Sequence, residues 1–149
     1  MAWGTRAAIA YSSMYPDRVI SAVFSDASIG HADVEAQKSG LKKALKEQEK
    51  LGIARYEMPQ GWNEHLDAES ARLSLGAASL FDLNKAFKKI SFPFLIMTGD
   101  YDPNLTSSRD MINNSDEGEL RVLENVGHGS VLQRPDLTLE NFLDWHGTK

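Results

Sequence analysis

The chain has 149 residues, with 16 Lys and Arg against 21 Asp and Glu, a formal charge of −5 and 42% hydrophobic residues. One domain with a real core fits that length. The acidic balance and the absence of a basic stripe argue against nucleic acid as a partner. No cysteine is present, which excludes disulfides, thiolate catalysis and thiolate metal sites.

The run from Lys42 to Lys50 is interleaved with Glu47 and Glu49 and reads as a solvated helix face. No apolar stretch approaches the ~20 residues of a membrane span. Arg6, Ser12, Ser13 and Asp17 break any apolar core of a signal peptide. The expectation is a soluble, cytoplasmic chain with no membrane contact.

In chain order, residues 3–15 (WGTRAAIAYSSMY) have helical character, with Ala7, Ala8 and Ala10 keeping one face small and Pro16 and Asp17 ending the helix. Residues 18–25 (RVISAVFS) are β-branched and aromatic enough for a short buried strand. Asp26, Ala27 and Ser28 follow, and Gly30 marks a loop. Residues 33–51 predict a charged helix with an apolar stripe at Val34, Leu41, Leu45 and Leu51. Gly52, Pro59 and Gly61 make residues 52–63 a loop. A weaker helix is expected at about 66–75, and Leu80, Leu83, Phe87 and Ile90 give helical spacing over 79–90.

Residues 92–98 (FPFLIMT) are a near-continuous apolar run, as in a parallel strand covered on both faces. Gly99 to Pro103 turn the chain, and a short helix is expected at about 106–113. Residues 119–124 make a third strand, residues 125–129 a tight loop, and 135–146 a last helix with Pro135 in its first turn. Alternating helices and strands predict a parallel sheet with right-handed crossovers. The stretch from about 28 to 78, mostly helical and without a strand, reads as an insertion.

Open parallel sheets meet their ligands at the loops beyond the carboxyl ends of the strands. Asp102 follows the strand at 92–98, and His128, flanked by Gly127 and Gly129, follows the strand at 119–124. A carboxylate on a neighbouring loop can fix an imidazole tautomer and stabilise the imidazolium. From position alone, a histidine in a glycine-containing loop is more often an ordinary surface residue.

The run Asp82 to Pro103 (DLNKAFKKISFPFLIMTGDYDP) is similar to the α/β-hydrolase passage that ends in the catalytic acid, with Asp82, Leu83, Phe87, Ile90, Pro93, Leu95, Gly99 and Asp102 in register. The run LRVLENVGHGSVLQRPDLTLENFLDW resembles the end of that fold, where a G-H pair follows the last strand. AWGTRAAIAYSSMYPDRV resembles the stretch after the nucleophile elbow in enzymes similar to proline iminopeptidases and epoxide hydrolases. The resemblance implies the C-terminal part of an α/β-hydrolase fold. Three parallel strands would carry flanking helices, and a mostly helical lid would occupy about 28–78 of a partial domain spanning 1–149.

It also implies hydrolysis of an ester, amide or similar bond of a small molecule through a nucleophile–His–Asp triad, with no cofactor and no metal. Asp102 would be the acid, His128 the base and Trp3 N–H an oxyanion donor. Counting back from Pro16 puts Ala2 at the nucleophile position. A register that makes Ala2 replace an elbow glycine leaves the distance to Pro16 one residue too long. Some relatives place the acid after the first of these strands, which makes Asp26 the alternative acid.

Alanine has no group that can attack a carbonyl. The strands that precede the elbow in the family lie outside this chain. A fragment or a gene model begun at an internal methionine is the favoured explanation, beside a nucleophile-less variant and a half-domain that assembles with another chain. The alternative function is accordingly a non-catalytic binding or assembly module. An apolar edge at 18–25 predicts self-association, which size exclusion reads directly. Ser12 and Ser13 lie within a helix, and Ser130 lacks the strand–turn–helix setting of a nucleophile. His31 and His65 lack metal-ligand spacing, and His146 suits a helix C-terminus. Trp62 and Tyr56 are expected to pack within the lid rather than line a pocket.

Overall fold

A computed structural model describes residues 1–58, 60–61, 64, 67, 69–70, 73 and 80–147. Its centre is a three-stranded parallel sheet in the order β1 (Ala22–Ser25), β2 (Phe94–Gly99), β3 (Gly118–Leu123). Every residue of β2 is buried, as its unbroken apolar sequence requires. The pleat sends Phe94 and Ile96 to one face and Leu95 and Met97 to the other.

On the first face, Phe94 meets Phe24 and Phe87 with ring centroids 5.6 and 5.4 Å apart. Around them pack Ile9 of α1 (Trp3–Met14), Leu83 and Ala86 of α3 (Leu83–Phe87) and Met111 of α4 (Leu105–Asn113). On the second face Leu95 and Met97 join Leu123, Val126 and Trp145. Trp145 belongs to the closing helix α6 (Pro135–Gly147), which follows the short α5 (Ser130–Gln133). Helices thus cover both faces, the arrangement a purely parallel sheet demands. Among the described residues no helix is long and apolar enough to cross a membrane.

Local chemistry sets the element ends. Asp33 caps α2 (Val34–Lys50) by accepting from Ala36 N–H, and Asp82 caps α3 by accepting from Lys85 N–H. The second cap corrects the helix expected at 79–90. It begins only at Leu83, and Leu80 is 89% exposed. The strand expected at 18–25 is shorter too. Pro16–Arg18 form a 3₁₀ turn, Ile20 is 91% exposed and pairing with β2 starts at Ala22. In α1 the buried face is Thr5, Ile9 and Ser12, with Ala8 and Ala10 packed alongside and Ala7 exposed. α5 was not expected. Of the helix expected at 66–75, Asp67, Glu69, Ser70 and Leu73 are described, the last three as helical.

α2 departs most from expectation. Val34 and Leu51 are exposed, and the buried face is Gly40, Ala44 and Gln48. These lie four residues apart, on one face of the helix. A Cβ at Gly40 would strike the carbonyl of Tyr101, and one at Gly127 would strike the backbone of Leu41. Gln48 Nε2 donates to Asn125 O at 2.6 Å. α2 therefore lies directly on the two loops that leave β2 and β3.

Candidate active site

Those two loops are knitted by their backbones. Asp100 N–H donates to Leu123 O, Tyr101 N–H to Val126 O, and Val126 N–H to the Asp100 carboxylate. Gly99 makes the approach possible, since a Cβ there would collide with the Val126 carbonyl. The outcome is a direct pair, with Asp102 Oδ2 3.0 Å from His128 Nδ1. The other carboxylate oxygen accepts Asn104 N–H at 2.9 Å. Asp102 is fully buried at its side chain, whereas His128 keeps 20% exposure.

Gln133 brackets the histidine, accepting from Gly127 N–H at 3.0 Å and donating to His128 O at 2.7 Å. Burial opposes the imidazolium, but the Asp102 bond and the charges of Asp102 and Asp26 outweigh it, so His128 titrates above its ordinary value. His128 Nε2 makes no hydrogen bond among the described residues.

Asp26 lies beside this pair, fully buried and with φ of +55°. Ser130 N–H and Ser25 Oγ donate to its carboxylate, and Asn104 Nδ2 donates to its backbone carbonyl. Burial, then the charge of Asp102, pushes its carboxyl up to about 6, against the pull of His128 and Ser130. Asp26 therefore neighbours the imidazole without bonding to it, and Asp102 is the carboxylate on Nδ1.

A carboxyl held above its unfolded value favours folding while protonated, and that advantage is lost as pH rises from about 4 through about 6. His128 acts in the same sense at higher pH, its contribution being full below about 6.5 and lost above. Asp26→Asn removes the first loss and keeps an oxygen for Ser130. It is expected to stabilise the fold by about 2–3 kcal/mol at pH 7 and hardly at all at pH 4. Urea unfolding at the two pH values checks this, and an unchanged pH slope would refute it.

Ala2 precedes α1 with φ 48° and ψ −107°. This conformation costs a non-glycine residue about 1–3 kcal/mol and clusters at functional sites. Ala2 N–H donates to Ser25 O at 2.9 Å, which sets the chain beside the end of β1. Trp3 N–H, at the first turn of α1, has no acceptor among the described residues. Ala2, Trp3, Asp26, His31 and His128 line one cavity of about 370 Å³.

A second cavity, of about 380 Å³, lies against His128 and is walled by Leu41, Leu45, Tyr56, Met58 and Leu132. Tyr56, expected to pack, is 46% exposed on that wall. Trp62 and His65 lie outside the described residues. Ser12 is buried within α1, and Ser130 is tied to Ser25 and Asp26. His146 sits in the last turn of α6.

No protein-family model matches the chain, and no curated protein does. Solved structures do. An E-2-(acetamidomethylene)succinate hydrolase superposes with a TM-score of 0.65 at 16% identity, over 95% of this chain and 63% of that one. The chain has the α/β-hydrolase fold. A thermophilic esterase from Thermogutta terrifontis matches with a TM-score of 0.63 at 18% identity, over 97% and 62% of the two chains. The enol-lactonase from Burkholderia xenovorans matches at 0.60 and 15%, over 97% and 62%. The chain thus spans a little over three-fifths of the length of these α/β-hydrolases.

Gln133, Asn104 and the buried face of α2 escaped the sequence reading. Asn104 stands two residues after Asp102, a spacing at which Asp commonly accepts a backbone N–H. Gln133 and the small face of α2 carry no such signature.

Proposed function

We propose that the chain carries the base and acid of an α/β-hydrolase site acting on an ester, amide or similar small-molecule bond. His128 is the base and Asp102 its orienter. Ala2 stands at the nucleophile position, and Trp3 N–H is the oxyanion donor. The observation that supports this best is the 3.0 Å contact between His128 Nδ1 and a buried carboxylate, with Nε2 unengaged. Asp26 shapes the charge around the imidazole instead of orienting it. A second reading rests on Ala2 itself. With no nucleophilic atom, the same cavity holds a ligand without turning it over.

An ester assay separates the two readings. With p-nitrophenyl acetate and protein near stoichiometric amounts, the hydrolase reading expects slow turnover that falls at least about tenfold in His128→Gln. Equal rates for the two proteins would leave only the binding reading.

A further inference from the structure

We propose that Arg6 anchors a carboxylate of the substrate, so that the cavity beside Ala2 takes small esters or related acyl compounds bearing a second, ionised acid group. This rests on the hydrolase reading for the word substrate; the anion site itself does not need it. Arg6 lies in the first turn of α1, its N–H donating to Ala2 O at 3.2 Å, and lines the same cavity.

Its Nη1 donates to Gly30 O at 2.7 Å, which fixes the guanidinium against the loop after β1. Its Nε is buried and has no acceptor among the described residues. A buried guanidinium N–H left unmatched is costly, and such groups are rare without a ligand, ion or water to meet them. The bond through Nη1 leaves Nη2, which has no acceptor among the described residues, to meet a carboxylate.

Arg6, Asp26, His31 and His128 all line this cavity. Arg6 is the arginine among the lining residues, and a lone guanidinium fork suits a planar carboxylate. Beyond His128 the second cavity, walled by Leu41, Leu45 and Met58, suits an uncharged, apolar group. A ligand with its carbonyl at Ala2 would place its carboxylate at Arg6 and its apolar end past the imidazole.

The test uses the chain as it stands, with monomethyl succinate as probe and dimethyl succinate as its neutral counterpart, binding being followed by NMR titration. Monomethyl succinate is expected to bind at least tenfold more tightly than the diester. Arg6→Gln should erase that preference, and Arg6→Lys should keep part of it, since an ammonium lacks the fork. Equal binding of the two esters by the unaltered chain overturns the proposal even if Arg6→Gln does not fold, and so does a folded Arg6→Gln that keeps the preference. His128→Gln should retain the preference. If it does while the ester assay shows no His128 dependence, the hydrolase reading fails and the anion site stands.

Discussion

Ala2→Ser is expected to make the chain reactive toward a fluorophosphonate at position 2 and to raise ester turnover by on the order of 10³-fold. The strained backbone at Ala2 holds its Cβ at the head of α1, in the cavity that His128 also lines. Under the proposed hydrolase reading, a hydroxyl there takes His128 as base and Trp3 N–H as a donor for the developing oxyanion. The strain belongs to any residue with a Cβ, so serine should leave stability within about 0.5 kcal/mol of the parent. Mass spectrometry of the labelled peptide gives the direct readout, and Ala2→Ser with His128→Ala should abolish labelling. A folded Ala2→Ser chain that takes no label would show that position 2 is not the nucleophile seat.

Gly99→Ala is expected to lose about 3 kcal/mol or more of stability. The added methyl would meet the Val126 backbone carbonyl, which cannot rotate away as a flexible side chain can. Val126 O also accepts Tyr101 N–H, so its displacement loosens both strand-end loops together. The Asp102–His128 contact depends on that join, and His128 should titrate closer to its ordinary value in the variant. Urea unfolding measures the first effect and a histidine NMR titration the second. An unchanged urea midpoint would contradict this account of the glycine.

The same glycine illustrates how the motif register works. Gly99 and Asp102 stand in one short run, and their spacing carries physical content. The glycine allows two loops to touch, and three residues later the acid reaches the histidine. Asp26 was legible as a second acid by its place after β1. Its bonds to Ser130 and Ser25 and its raised pKa depend on a serine 104 residues away being folded against it. Arg6 entered the sequence reading only as a charge that breaks a signal peptide, and its bond to Gly30 O and its unmatched Nε appear only in the fold.

By itself the sequence determined the parallel α/β arrangement and the placement of Asp102 and His128 at the ends of neighbouring strands. Both follow from local pattern. An unbroken apolar run such as 92–98 must be covered on two faces, and the loop after each strand then emerges at one edge of the sheet. Only the tertiary structure decided where β1 begins, which face of α2 is buried, and what Gln133, Asn104 and Arg6 touch. Ile20 is apolar yet exposed, and Gly40 is small yet buried. In each case the deciding quantity is how closely another segment approaches, which hydropathy along the chain does not encode.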